Sequence, residues 1–301
     1  MTRATATLCL LLATALWGFG FIAQKHAMLS MGPLSFTGVR FIIGGALLLP
    51  LALRERRTKS ATLSRRDWLF VAAMTLVFFI GSWLQQVGLA STTVTNGGFL
   101  TGLYVLFVPL IAFLVFRTQP HPLVLIGVAL ALVGIYLLNG ARLDRLNIGD
   151  ALIVLCAVFW AIHVLMLGAI ASRTGLPLAI TCGTFILAGL GAILLAFVFE
   201  APTLAQISEQ WLAVAYAGIG STAIGFTLQA VAQQYVPATN AALVLSSEAL
   251  FAALGAALLL GERLLPIGYV GALVIFLAIL LGEVLPPILL RRRARTQAVT
   301  T

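Results

Sequence analysis

The stretch LSSEALFAALGAALLLGER, Leu245 to Arg263, sets a carboxylate inside an apolar run. Beyond Glu248 uncharged, apolar residues continue to Leu260, and before it only Ser246 and Ser247 interrupt the run back to Asn240. A segment of this length and composition crosses a bilayer, where a central acid costs about 2.5–3.5 kcal/mol on insertion scales. An acid kept at that cost faces the interior of a helix bundle, which makes Glu248 the first candidate functional residue.

The rest of the chain is of the same kind. Its 301 residues are 61% hydrophobic and 9% charged, with a mean hydropathy of +1.09. A water-facing surface needs roughly 25% charged residues, so a soluble globular protein is excluded. Runs of about 20 apolar residues span the hydrocarbon core. Ten such runs occur, at 5–26, 34–53, 68–88, 95–116, 122–140, 149–171, 177–199, 210–232, 238–260 and 266–285. The expectation is an all-α integral membrane protein of ten transmembrane helices with no soluble domain.

The formal charge of +9 does not point to nucleic acid, because the basic residues lie in loops and at the C-terminus. With ten spans, Arg3, Arg54, Arg56, Arg57, Lys59, Arg65, Arg66, Arg117, Arg173, Arg291, Arg292, Arg293 and Arg295 share the side of the termini. Only Lys25, Arg142, Arg145 and Arg263 fall opposite, and Arg40 is inside a span. Positive charge stays in the cytoplasm, so both termini are expected there. The apolar run after Arg3 continues past Ala15 to Ala23, too long for a cleaved signal core. Cys9, Cys156 and Cys182 lie in separate spans, a pattern of neither disulfides nor a metal site.

Displacing the chain against itself by 144 positions aligns IGSWLQQV from Ile80 with IGFTLQAV from Ile224. The same offset pairs Thr95-Asn96 with Thr239-Asn240, Leu106-Phe107 with Leu250-Phe251, Pro122 with Pro266 and Gly127 with Gly271. One residue of slip earlier, Trp17 meets Trp160 and Trp68 meets Trp211. Each copy holds five spans, an odd number, so the second enters the membrane from the opposite side. The division is residues 1–141, an inverted copy at 142–290, and a basic cytoplasmic tail at 291–301. Inverted repeats are a signature of secondary transporters with a midplane site, although some pores also have them. Gly98 and Gly102, with partners Ala242 and Ser246, give the fourth and ninth spans small-residue faces for close packing near the pseudo-symmetry axis.

Three stretches carry a family likeness: ALWGFGFIAQK from Ala15, NIGDALIVLCAVFWAIHVL from Asn147, and PATNAALVLSSEALFAALGAALLLGERLLPIGYVGALVI from Pro237. With the five-plus-five organisation, they resemble the drug/metabolite transporter (DMT) superfamily, specifically the EamA-type exporters. The resemblance covers essentially the whole chain and implies export of small metabolites, often amino acids or their relatives. It implies a bacterial inner (plasma) membrane protein. One departure stands out: family members often have Glu-Pro in the ninth span, whereas Ala249 follows Glu248 here. The ninth helix is therefore expected to be straighter, with no proline hinge.

Intramembrane polar and aromatic groups give the candidate substrate-binding set: Trp17, Arg40, Trp83, Gln86, Tyr104, Trp160, His163, Ser247 and Glu248. Glu248 is a proton-coupling site, a contact for a substrate amine, or an acid hydrogen-bonded within the bundle. Arg40 cannot readily shed its proton, so it meets water, an acid or a substrate carboxylate, or snorkels. His163 shares a helix face with Trp160 and is a ligand contact or a packed hydrogen-bonding residue. Trp17, Trp83 and Trp160 lie too deep for interfacial anchors and either wall a ligand or fill the core. Tyr104 is the repeat partner of Glu248. The matched amides Gln85/Gln229 and Asn96/Asn240 read as helix–helix bonds, and Lys25, His26 and Glu262 as interface anchors.

A cavity of rings and amides with few charges suits a small neutral or zwitterionic solute, with aromatic or hydrophobic amino acids favoured. It does not suit polyphosphates, which need clustered Lys and Arg. The partners are this solute, the bilayer and, if Glu248 couples transport, a proton; a monomer or weak oligomer suffices, with no cofactor or metal. The competing readings are a multidrug or amphiphile exporter of the same fold, a passive solute channel, and an intramembrane hydrolase. The hydrolase lacks a serine-bearing signature around His163 and any HExxH.

Overall fold

The computed structural model describes residues 1–59, 62–141, 147–261 and 263–285. Arg142, Arg145, Glu262 and the basic tail lie outside the described residues. No strand occurs among the described residues, and the protein is a bundle of apolar helices.

The first repeat runs α1 (Arg3–Ala27), α2 (Pro33–Thr58), α3 (Arg65–Ser91), α4 (Val94–Gly102), α5 (Tyr104–Phe116) and α6 (Pro122–Leu138). The second runs α7 (Ile148–Thr174), α8 (Pro177–Phe199), α9 (Leu204–Glu209) and α10 (Trp211–Ala215), then a π-helical segment, Tyr216–Phe226. It ends with α11 (Thr227–Ala232), α12 (Ala238–Leu245), α13 (Glu248–Leu259) and α14 (Pro266–Ile279), which turns π-helical over Leu280–Val284. Local chemistry sets these limits. Pro33, Pro122, Pro177 and Pro266 open helices at the position where a missing N–H costs nothing. Ser64/Asp67 and Asn147/Asp150 form reciprocal capping boxes on α3 and α7.

Eight helical segments are long and apolar enough to cross a membrane, counting α4–α5, α10–α11 and α12–α13 as continuous segments. The fifth and tenth expected spans are the shorter apolar helices Pro122–Leu138 and Pro266–Gly282. At 1.5 Å per residue, the 17 residues of α6 rise only about 25 Å against a hydrocarbon core of about 30 Å. Gly140 and Ala141, both at positive φ, end that helix.

Helix pairing follows a pseudo-two-fold pattern. Helix α3 packs on α7, and in the exchanged relation α1 packs on the π segment and α11. Helices α2 and α8, and α6 and α14, pair with their own repeat counterparts, and α4 packs on α13 as α12 packs on α5. Small residues make these contacts: a Cβ on Gly271 would stand 2.3 Å from the Leu138 nitrogen, and one on Gly38 2.5 Å from Ile193 Cγ1.

Carboxylates tie two of the pairs at both ends. The Glu200 carboxylate, just past α8, accepts the Leu34 and Ser35 N–H groups at 2.8 Å each and the Ser35 hydroxyl at 2.7 Å. At the other end Glu55 of α2 accepts Ala179 N–H of α8 at 2.9 Å. Asp67 at the start of α3 pairs with Arg173 at the end of α7, and Asp150 at the start of α7 accepts the Thr92 hydroxyl just after α3. Each places negative charge at a helix N-terminus, where the macrodipole favours it.

Candidate functional site

The fourth and ninth spans do meet, but neither is a straight helix. Helix α4 stops at Gly102 and α5 starts at Tyr104; α12 stops at Leu245 and α13 starts at Glu248. The expected straighter ninth helix is thus corrected, and the reason is serine chemistry in place of proline. Ser246 and Ser247 donate their hydroxyls to the carbonyls of Leu243 and Val244 at 2.7 and 2.8 Å. The backbone there tightens to three-residue bonds, with Ser247 N–H on Val244 O at 3.1 Å and Leu250 N–H on Ser247 O at 2.9 Å. Back-bonded serines bend helices in this way. In the first repeat Pro109, inside α5, removes an interior bond close to the matching interruption. The repeat partners Tyr104 and Glu248 therefore each follow a break directly. The breaks also shift the close packing: a Cβ on Gly98 would stand 2.6 Å from Ala252 Cβ of α13, so Ala252, not Ala242, is its neighbour.

Both residues open onto a cavity of about 460 Å³, its mouth included, between the two repeats. Trp17 and Gln24 come from α1, Arg40 from α2, Gln85 from α3 and Thr101 from α4. Trp160 and Val164 come from α7, Ser221 and Phe226 from the π segment, Gln229 from α11 and Leu245 from α12. Four lining pairs are repeat partners: Trp17/Trp160, Gln85/Gln229, Thr101/Leu245 and Tyr104/Glu248. Pairwise lining is what a site on a pseudo-symmetry axis requires.

Aromatic rings make the wall. Phe226 lies 4.6 Å from Trp17 and 5.6 Å from Trp160, ring centre to ring centre. Trp17 donates its indole N–H to the Ser221 carbonyl at 2.9 Å. That acceptor sits in the widened π turn, and π stretches of this kind favour functional sites. A Cβ on Gly225 would stand 2.6 Å from the same indole nitrogen, so glycine there lets the segment reach Trp17.

Charge is sparse. Arg40 is 2% exposed, has no ion-pair partner among the described residues, and leaves its Nε–H without an acceptor. Its guanidinium lies 4.7 Å from the Phe41 ring centre and 5.6 Å from that of Phe36, so cation–π contact offsets part of the desolvation. Glu248 is 6% exposed and likewise has no ion-pair partner among the described residues. The Tyr104 hydroxyl, the Trp160 indole N–H, Gln24 Oε1 and Gln229 Oε1 are buried without partners. A buried polar group without a partner costs about 1–3 kcal/mol, so the lining is set out to receive a polar guest.

Of the nine residues singled out from the sequence, Trp17, Arg40, Tyr104, Trp160 and Glu248 line this cavity together. The other four do not. Trp83 is 38% exposed on the outer face of α3, away from the cavity, opposite the buried Thr75, Ser82, Gln85 and Gln86 side. Gln86 donates to the Gln24 carbonyl at 3.0 Å and joins α3 to α1. Ser247 hydrogen-bonds Thr14 at 3.0 Å, tying the helix break to α1. His163 borders a separate cavity beside Phe78. Sequence reasoning missed Gln24, Thr101, Val164, Ser221, Phe226 and Leu245 as lining groups, and assigned Gln85 and Gln229 to helix bonding. Gln85 does bond Thr101 at 3.2 Å; its repeat match to Gln229 was the available signal for a shared site.

Comparisons with known proteins agree with this architecture. The EamA-like transporter family matches twice, over residues 4–140 and 147–282. A protein of Archaeoglobus fulgidus, named an uncharacterized transporter, is 33% identical over 284 residues, 93% of this chain and 86% of that one. An uncharacterized protein of Pseudomonas aeruginosa is 30% identical over 260 residues, 83% and 85% of the two chains. One solved crystal structure superimposes with a TM-score of 0.78 over 96% of this chain and 99% of its own, at 19% identity, a likeness of fold alone. The chain thus belongs to the EamA-like transporter family and is a multi-pass membrane transporter.

Proposed function

We propose that the protein exports small zwitterionic metabolites, aromatic and hydrophobic amino acids foremost, by alternating access about the central cavity. One observation carries this reading: a buried guanidinium and a buried carboxyl, neither ion-paired among the described residues, line one aromatic-walled space. An amino acid completes both at once. Its carboxylate meets Arg40 through a planar fork, its ammonium meets Glu248, and its side chain lies against Trp17, Trp160 and Phe226. The pseudo-two-fold pairing supports two inverted five-helix repeats, 1–141 and 142–290, with α6 and α14 as the fifth and tenth spans. The basic residues of the loops support cytoplasmic termini, and the family supports a bacterial inner membrane. Each chain carries a whole cavity, so a monomer suffices.

The test is flux into liposomes holding the purified protein, with labelled tryptophan, phenylalanine, alanine and a neutral sugar, with and without a pH gradient. Saturable, mutually competing amino-acid flux that falls at least tenfold in Arg40→Gln supports the reading. Flux that follows the pH gradient and becomes independent of it in Glu248→Gln would assign Glu248 a second role as the proton site. Amino-acid flux equal to that of protein-free liposomes refutes the substrate class.

A further inference from the structure

A second, smaller cavity, about 210 Å³ with its mouth included, is lined by Met74, Phe78, His163, Leu167, Thr181, Thr184, Phe185 and Phe226. Only Phe226 belongs to both cavities. The two lie in series. Gln24, Arg40, Gln85 and Thr101 approach the end of the bundle where α1 and α3 finish and α2 and α4 begin. Met74, Leu167 and Thr181 approach the opposite end, where α3 and α8 begin and α7 finishes.

The repeat relates them. With the 144-residue offset, Thr37 of α2 pairs with Thr181 of α8, Arg40 with Thr184, and Phe41 with Phe185. With the one-residue slip that matches Trp17 to Trp160, Gln24 pairs with Leu167. Thr184 and Leu167 of the second cavity are thus repeat partners of Arg40 and Gln24 of the first, while Thr37 and Phe41 do not line it. Its polar groups are also set out for a guest: His163 Nδ1 and the Thr181 hydroxyl are buried without hydrogen-bond partners, and these residues are only 3% and 4% exposed. Unpartnered buried groups of this kind mark a place where a solute or water is received.

We propose that this cavity is a second solute subsite on the transport path, and that Phe226 is the movable partition between the two. It deepens the transport reading above and rests on it. In this conformation the subsite has room for about one water molecule; with Phe226 turned aside it takes the same small zwitterion, offering hydrogen bonds from His163, Thr181 and Thr184 in place of the charge of Arg40. Phe226 touches both sides, with its ring 4.6 Å from Trp17 in the central cavity and 5.1 Å from Phe78 beyond it. It is also the last residue of the π segment, where the five-residue bonding pattern gives way to the four-residue pattern of α11. A shift of that boundary turns Phe226 relative to α11, and π segments recur where helices must re-aim side chains.

Thiol labelling from one side tests this without knowledge of the solute. Cys9, Cys156 and Cys182 are replaced by alanine, and Thr181→Cys or Gln24→Cys is introduced. The protein is inserted with the α1 C-terminal end outward in sealed vesicles, and a membrane-impermeant quaternary-ammonium thiosulfonate is added outside. Intact mass reads the labelling rate. Gln24→Cys is expected to label at the same rate whatever stands at 226. Thr181→Cys is expected to label slowly behind Phe226 and at least tenfold faster with Phe226→Ala, with Phe226→Leu intermediate should the alanine variant fold poorly. Thr181→Cys labelling that Phe226→Ala and Phe226→Leu both leave unchanged overturns the partition while the central site stands. Rapid labelling behind intact Phe226 does the same. Failure of Gln24→Cys to label removes the central cavity as a solute path, and this proposal with it.

Discussion

Glu200 offers the most quantitative test of how the bundle is held. Helix α2 begins with Pro33, which has no N–H, and Gly32 before it provides no side-chain cap. Phe36 N–H already bonds the Gly32 carbonyl at 3.0 Å. The amides of Leu34 and Ser35 are the donors left over in the first turn, and both go to the Glu200 carboxylate, with the Ser35 hydroxyl as a third. Hydrogen bonds to a charged group contribute about 1.5–3 kcal/mol each when buried. Glu200 is only partly buried, so water recovers much of this in its absence. Glu200→Ala should therefore destabilise the protein by about 3 kcal/mol, and Glu200→Gln, which keeps one acceptor but turns an N–H₂ toward a donor, by about half as much. Equilibrium unfolding in mixed micelles measures both. Gly32 supplies an internal control: a Cβ there would stand 2.1 Å from Glu200 Oε2 and push the carboxylate off its donors. Gly32→Ala should cost nearly as much as Glu200→Ala in the native background and far less when combined with it, the non-additivity expected of one shared interaction. A loss under about 0.5 kcal/mol for Glu200→Ala, or additive costs in the double variant, would refute the cap as a stabilising device.

Other outcomes follow from the same geometry. Arg40→Gln should raise the KM for an amino acid at least tenfold and leave that for the corresponding amine, which lacks the carboxylate, within about twofold; equal losses for both would show that Arg40 is structural. Gly271→Val forces α6 off α14, and overpacking of this kind costs about 1–3 kcal/mol; an unchanged unfolding curve would contradict the close packing. Trp83→Leu should leave flux within twofold of the unsubstituted protein, because Trp83 faces outward; a tenfold loss of flux in folded protein would return it to the transport path.

Much of the site was legible without coordinates because polar and aromatic residues inside membrane spans are rare enough to be conspicuous. Arg40, Tyr104, Trp160 and Glu248 stand out for that reason, and the internal repeat pairs two of them with Glu248 and Trp17. Trp83 shows where this reasoning fails. It is as deep in the sequence of its span as Trp17, yet it lies on the outer side of α3, while Thr75, Ser82, Gln85 and Gln86 lie on the buried side and large apolar side chains occur on both. In water an amphipathic stripe would tell the faces apart; in a bilayer hydropathy does not, and packing decides. Phe226 was passed over for the same reason, as one phenylalanine among 18.

The sequence by itself determined the membrane environment, the helical class and the two-fold internal repeat, because composition and span length follow directly from the thickness and polarity of the bilayer. It also determined where six helices begin, through Pro33, Pro122, Pro177 and Pro266 and the Ser64 and Asn147 caps. Tertiary structure decided which faces turn inward and that Glu55 and Glu200 fasten α2 to α8 from opposite ends. Those outcomes depend on contacts between residues more than a hundred positions apart, which no local pattern of hydropathy or capping encodes.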